Sequence, residues 1–280
     1  MRLEQSLFRQ LDESEENVLK KYERWLAQYF KKLPWTKIER LRKGFKLEKA
    51  GMVDELIPRP DEKGLARILA RHGSKMVLAG RAHGDRLVRE LHWRYGGKRL
   101  ADYPEFAFDY TTDPWLIPAQ AIEAMEKRAL VLAGNVGSDI ISSVKKIVIN
   151  RLVDISRQEA EEQIAVILQS NRDRGSLIVT TETTYAYNQG RLAGFAQHKV
   201  DYVQFSAIMD ARTSVQCQTR HGLIMAMDDP RLAGNTPPLH GRCRSVLVPV
   251  YGAYQSEMIT PERLNWSEVA PLPKGWRRAA

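Results

Sequence analysis

Along the first half of the chain apolar residues recur every three or four positions, a period that predicts amphipathic helices. Leu7, Leu11, Val18, Tyr22, Trp25, Leu26, Tyr29 and Phe30 form one stripe over residues 3–33. The acidic run Asp12 to Glu16 comes early and Lys31 and Lys32 come last, which complements the helix dipole. Pro34 stops this helix. A second is predicted from Thr36 to Ala50, ended by Gly51, Pro58 and Pro60. Leu65 to Trp93 carries the longest helical period of this half, and Gly73, Gly80 and Gly84 predict kinks or separate short helices within it. Tyr95 to Pro118 has no clean period and reads as a connection, with a short strand near Phe106 to Tyr110. Pro118 suits the first turn of a helix over Ala119 to Leu132. Further helices are predicted over Gly137 to Leu152 and Arg157 to Ser170, the latter capped by Asp154 or Ser156. Asn171 to Gly175 reads as a loop and sets a domain border.

Beyond that border the period changes. Ser176 to His198 is a helix with a stripe of small residues: Val179, Thr183, Ala186, Gly190 and Ala193. Glycine inside a helix costs about 1 kcal/mol relative to alanine, so Gly190 predicts close approach of another backbone. The alternation Val203, Phe205, Ala207, Met209 reads as a half-buried strand, and Arg244 to Val250 as a more buried one. The two are expected to pair antiparallel, with a long loop between them. The fold class is thus α+β: a helix-rich N-terminal region followed by a small α+β domain with a short antiparallel sheet. The predicted organisation is residues 1–175 as the helical region, 176–250 as the α+β domain and 251–280 as a tail.

Composition changes this picture in two ways. Hydrophobic residues at 43% and charged residues at 28% belong to an ordinary globular protein, and no apolar run reaches the roughly 20 residues of a membrane helix. The start Met-Arg-Leu-Glu-Gln lacks the apolar core of a signal peptide, so a cytoplasmic protein with reduced cysteines is expected. A disulfide between Cys217 and Cys243 is the alternative. The net charge of +9 fits either a polyanionic partner or plain solubility. Its distribution favours a partner: Lys31, Lys32, Lys37, Arg40, Arg42, Lys43, Lys46 and Lys49 cluster against only Glu39 and Glu48.

Candidate chemistry gathers in the loop between the two strands. Cys217-x3-His221 and His240-x2-Cys243 have the spacing of paired zinc ligands, and both cysteines of the chain are used there. Four protein ligands would close the shell and make the zinc structural. The alternative is that both cysteines are small buried apolar groups and His240 bonds the backbone. Residues 225–238 hold little apolar material after Met227 and are expected to need a cross-link for order. Glu182, beside the small-residue stripe, is expected as a buried anchor paired with Arg212 or Arg244. No nucleophile elbow, Walker loop or metalloprotease motif is present. His72, His83 and His92 read as solvated or core histidines.

Taken together, Thr181, Glu182, Ala186, Asn188, Gly190, Asp210, Arg212, Thr213, Cys217, Gly222, Pro237, Pro238, His240, Cys243 and Arg244 resemble the Mu F-like head morphogenesis family of phage minor head proteins. The family pattern is a Thr-Glu helix with Ala-x-Asn-x-Gly, then Asp-x-Arg-Thr with a cysteine shortly after, then Pro-Pro-x-His-x-x-Cys-Arg. Ser214 and Ser245 stand where family members often carry further cysteines, and Gly241 where proline is usual. The resemblance supports Cys217, His240 and Cys243 as a set and says less about His221. It marks Glu182, Asn188, Asp210, Arg212 and Arg244 as structural polar residues. It implies a non-enzymatic minor capsid protein that joins the portal or major capsid protein during assembly, with DNA contact as a further expectation and no small-molecule substrate. Its location would be the host cytoplasm during assembly and then the virion, in the head interior or portal region. The segment with Tyr22, Trp25, Tyr29, Phe30 and Trp35 is expected to expose apolar surface for docking. The runner-up is a zinc-containing nuclease or transferase acting on nucleic acid, which would gather Glu182, Asp210 and a histidine in one open cleft. A DNA-binding accessory factor without a virion role is a third reading.

Overall fold

The computed structural model describes residues 2–45, 51–95, 119–250, 259–274 and 276. Five long or medium helices come first: α1 (Arg2–Lys31), α2 (Trp35–Arg42), α3 (Glu62–Tyr95), α4 (Ala119–Val153) and α5 (Arg157–Gln197). They are followed by β1 (Tyr202–Ser206), α6 (Val215–Gln218), β2 (Ile224–Ala226), α7 (Leu232–Asn235) and β3 (Val246–Val250). The expected class is the observed one: a helical N-terminal region, then a small part with a three-stranded antiparallel sheet. The chain divides into two compact units, Met1–Arg71 with Glu126–Val179, and His72–Met125 with Thr180–Ala280. These borders fall inside α3, α4 and α5.

The first unit is a helical assembly built on the predicted stripe of α1. Val18, Tyr22, Trp25, Leu26, Tyr29 and Phe30 are buried, and they pack with Ile38 of α2, Leu65 of α3 and Val136, Ile140, Val144 and Val148 of α4. The aromatic segment therefore fills a core and does not form the exposed docking surface expected for it; Trp35 is half-buried against the same cluster. The Trp25 indole donates to the Asp61 carbonyl at 2.8 Å, which satisfies its polar edge inside the core. Arg151, 4% exposed, is held by Glu39 through Nε at 3.0 Å and Nη2 at 2.7 Å and by the Ile155 carbonyl at 2.8 Å. This forked pairing is what makes burial of a guanidinium tolerable.

Glycine and the stretch Asn171–Gly175 predict helix interruptions, yet α3, α4 and α5 are each continuous. In α4 the buried stripe Ala133, Val136, Ile140, Val144 runs past Gly134 and Gly137, and its burial outweighs about 1 kcal/mol per glycine. In α5 the Asn171 amide donates to the Ile167 carbonyl, and Gly175 lies where a Cβ would meet the Tyr22 ring at 2.4 Å. The loop-forming residues of that stretch are used for packing. Ser156 caps α5 as expected, in a reciprocal box: Glu159 N donates to Ser156 Oγ at 3.1 Å and Ser156 N to Glu159 Oε2 at 2.6 Å. The strand expected at Phe106–Tyr110, together with Lys46 and Lys49, lies outside the described residues.

In the second unit the strand order is β2-β1-β3, all antiparallel. Val203 faces Met225 on one side and Pro249 on the other, and Phe205 faces Leu247. Val203, Phe205 and Leu247 are fully buried with Phe195 of α5, as the period-two pattern predicts. β1 ends at Ser206, short of the expected Met209; Ile208 and Met209 are exposed as the chain turns toward Asp210. The later part of α3 and the end of α5 meet glycine to backbone. A Cβ on Gly190 would stand 1.9 Å from the Val77 carbonyl, and one on Gly80 2.0 Å from the Tyr187 carbonyl. Close approach at Gly190, inferred from its helix penalty, is what the packing shows.

Candidate metal centre

Three side chains of the inter-strand loop converge. Ser214 caps the short helix α6, its Oγ accepting the Cys217 amide at 3.4 Å, and so directs Cys217 inward. His240 and Cys243 come from the turn that leads into β3. Cys217 Sγ lies 3.2 Å from His240 Nε2 and 3.7 Å from Cys243 Sγ. Both cysteines are buried free thiols and His240 is half-buried. His240 Nδ1 donates to the Gly241 carbonyl at 2.7 Å, which leaves Nε2 as the nitrogen presented to the sulfurs.

That turn is strapped to one face of α5. Thr184 Oγ1 donates to the Cys243 carbonyl at 2.5 Å, and Thr181 Oγ1 accepts the Arg242 amide at 3.1 Å. Asn188 donates to the Ser245 carbonyl at 3.2 Å and accepts the Leu247 amide at 3.0 Å. Residues 181, 184 and 188 recur at helical spacing, so one helix face fastens four backbone groups between Arg242 and Leu247. Sequence reasoning missed Thr184; its spacing from Thr181 and Asn188 is the signal that could have found it. Arg242 adopts a positive φ of 57°, a left-handed conformation held in place by that strapping.

Proximity shifts the ionisations together. The Cys243 thiol bonded to Cys217, and then His240, bring the Cys217 thiol down to about 4 against the opposing effect of burial. Cys243 is pushed up by that same bond to Cys217, and His240 is raised by its bond to Cys217. The cluster thus favours one thiolate held between a thiol and an imidazole.

His221 is not part of it. It is exposed, and its Nδ1 accepts the Ala207 amide at 3.1 Å, closing the end of β1. Among the described residues the group with metal-ligand geometry is Cys217, His240 and Cys243. His221, expected as the fourth ligand, lies apart from these three side chains.

The structural polar residues also pair differently from expectation. Arg244 grips Asp210 with both arms, Nη1 to Oδ2 at 2.9 Å and Nη2 to Oδ1 at 2.6 Å. This guanidinium holds the Asp210 carboxyl well below the usual carboxylate range. The Arg212 amide adds a bond to Asp210 Oδ1 at 2.9 Å while the residue itself is exposed. Glu182 is buried on α5, and Arg244, one of the two guanidinium groups expected near it, is engaged by Asp210. A small pocket lined by Cys217, His240, Ser245, Arg212, Arg242 and Arg244 opens beside the cluster, and Glu182 and Asp210 do not line it. This pocket does not bring Glu182, Asp210 and a histidine together, the grouping the nuclease or transferase reading calls for.

Order in residues 225–238 comes from polar fasteners and not from a cross-link alone. Buried Arg220 donates through Nε to Asn235 Oδ1 at 2.7 Å and through Nη1 to the Gln216 and Ala270 carbonyls at 3.0 and 2.9 Å. Leu232 and Leu239 anchor the loop in the core. His72 is a core histidine, 2.7 Å from Thr183 Oγ1, and His83 is half-buried against the Tyr187 hydroxyl. The side chain of His92 lies outside the described residues. Lys31, Lys32, Lys37, Arg40, Arg42 and Lys43 lie at the end of α1 and along and just after α2, and all six are exposed.

Residues 126–248 match the family model described as phage Mu protein F like protein. That segment, from within α4 into β3, is similar to phage Mu protein F-like proteins. No curated protein and no solved structure matches the chain. Among the described residues no helix is long and apolar enough to cross a membrane.

Proposed function

We propose that the protein is a minor head component of a tailed phage that takes part in head morphogenesis as a structural, non-enzymatic part bound at the portal or capsid. The observation that carries this reading is the match over residues 126–248, which takes in α5, β1, β2, the strapped turn and the start of β3 as one stretch. The motif residues support it by what they do: Asn188, Thr181, Asp210 and Arg244 fasten backbone and each other. Docking proceeds through surface charge, because the aromatic residues of α1 are spent on the core. The cations from Lys31 to Lys43 suit an acidic portal surface or DNA. The host cytoplasm is the site of assembly and the virion the final location.

The test is co-purification of the full chain with the portal and major capsid proteins of the same genome, together with its detection in purified particles. A charge-reversed surface variant is the right comparison, since removing residues 1–50 would take Tyr22, Leu26 and Ile38 out of a core. Association with portal or capsid and presence in particles is expected. A chain that binds neither and is missing from particles refutes the head role.

A further inference from the structure

We propose that Cys217, His240 and Cys243 hold one Zn²⁺ with three protein donors, and that its fourth coordination position opens on the arginine-lined pocket and takes a small anion. The inference does not rest on the head assignment. Its first support is metric. In a tetrahedral site with Zn–S of about 2.3 Å and Zn–N of about 2.0–2.1 Å, neighbouring donors stand about 3.5–3.8 Å apart. The Sγ–Sγ separation is 3.7 Å and the Sγ–Nε2 separation 3.2 Å, and all three donor atoms lie within 4.8 Å of one another. For the two separations from Cys217 Sγ an ion needs only a few tenths of an ångström of adjustment. A disulfide instead requires the sulfurs to close to about 2.05 Å, a much larger movement.

The second support is the donor chemistry. Two sulfurs and an imidazole select a borderline-soft ion over magnesium or calcium, which take oxygen. The third is orientation. His240 gives Nδ1 to the Gly241 carbonyl and so aims Nε2 at the sulfurs, the outer bond that metal-bound histidines commonly make. The ligand-bearing turn is also fastened to α5 by Thr181 and Thr184, so its shape does not depend on the ion.

Three protein donors leave one vertex of a tetrahedron for another ligand. Cys217 and His240 both line the pocket, so that vertex faces it. Zinc with two thiolates is neutral, while Arg212 and Arg242 add positive charge to the pocket wall. That balance favours an anion in the fourth position.

The experiment uses the full chain purified without chelators. Elemental analysis should find about one zinc per chain in the parent and in His221→Ala, and about tenfold or weaker zinc affinity in Cys217→Ser, His240→Gln and Cys243→Ser. Because a ligand variant can also misfold, the parent is reconstituted with Co²⁺. Its spectrum should show thiolate-to-cobalt charge transfer and tetrahedral visible bands, and added azide or thiocyanate should shift those bands. Absence of zinc together with no cobalt–thiolate absorption overturns the site, as does a mass two hydrogens low that marks a disulfide. Loss of metal in His221→Ala, or visible bands unmoved by either anion, overturns the open fourth position.

Discussion

Substituting alanine for a helical glycine is expected to stabilise a helix by about 1 kcal/mol, and the structure says where that sign must invert. At Gly190 a Cβ would lie 1.9 Å from the Val77 carbonyl oxygen and 2.8 Å from the Arg81 amide nitrogen, where ordinary contact begins at 3.4 Å. Both obstacles are backbone, so no side chain can swing away. α3 and α5 must part by an ångström or more at this level. A gap of about 0.5–1 Å already forfeits a quarter to a half of the dispersion attraction across it. Overpacking costs typically about 1–3 kcal/mol, and an obstacle made of backbone puts Gly190→Ala at the upper end. After the helix gain is subtracted, a net destabilisation of about 2 kcal/mol is expected. Gly134 in α4 supplies the control, since nothing lies within 4 Å of a Cβ there and Gly134→Ala should gain about 1 kcal/mol. Thermal unfolding by circular dichroism should separate the two variants in opposite directions from the parent, at about 2–4 °C per kcal/mol for chains of 150–250 residues and somewhat less here. If Gly190→Ala is as stable as Gly134→Ala, the close α3–α5 contact is not what the glycine is for.

Asn188→Ala strips partners from a buried carbonyl and a buried strand amide, Ser245 and Leu247, and should cost about 2–3 kcal/mol in urea unfolding; a change under about 0.5 kcal/mol refutes its role as a fastener. Burial, then Arg191 and Arg86, bring His83 down to about 4, so the unfolded chain protonates first. Stability should therefore fall as pH drops from about 6.5 to about 4 and level off below, and His83→Gln should flatten that fall in urea midpoints; parallel pH profiles for the two proteins refute it. Reversing Lys37, Arg40, Arg42 and Lys43 to glutamate keeps buried Ile38 in place. If DNA is the partner, this should lower the log–log salt slope of DNA binding by about 0.9 for each phosphate no longer neutralised. Anisotropy titrations with unchanged affinity and slope would remove DNA from the candidate partners.

What the sequence made legible was whatever depends on period and short-range chemistry. The α1 stripe, the antiparallel pairing of β1 with β3 and the Ser156 cap each follow from local patterns whose geometry the backbone dictates. Gly80 and Gly84 mislead because the same residue breaks a helix in isolation and admits a second backbone in a packed one. Only the neighbour, here α5, decides between the two. Ion pairing escapes the sequence for a related reason: either Asp210 or Glu182 could meet Arg244, and the turn after β1 determines which carboxylate does.

The exclusion of His221 shows where motif spacing loses its force. A Cys-x3-His interval puts both donors on one face only while the helix lasts, and α6 ends at Gln218 with Thr219 as its cap. Past that cap the chain turns toward β2, and the His221 imidazole finds the Ala207 amide at the end of β1 instead. The His-x2-Cys interval survives because it never relied on a helix. It spans a turn whose backbone is held from outside, Thr181 taking the Arg242 amide and Thr184 the Cys243 carbonyl. A pair of donors is thus only as reliable as the element that carries it. The chemistry of this site rests on a face of α5 that contributes no donor to the cluster.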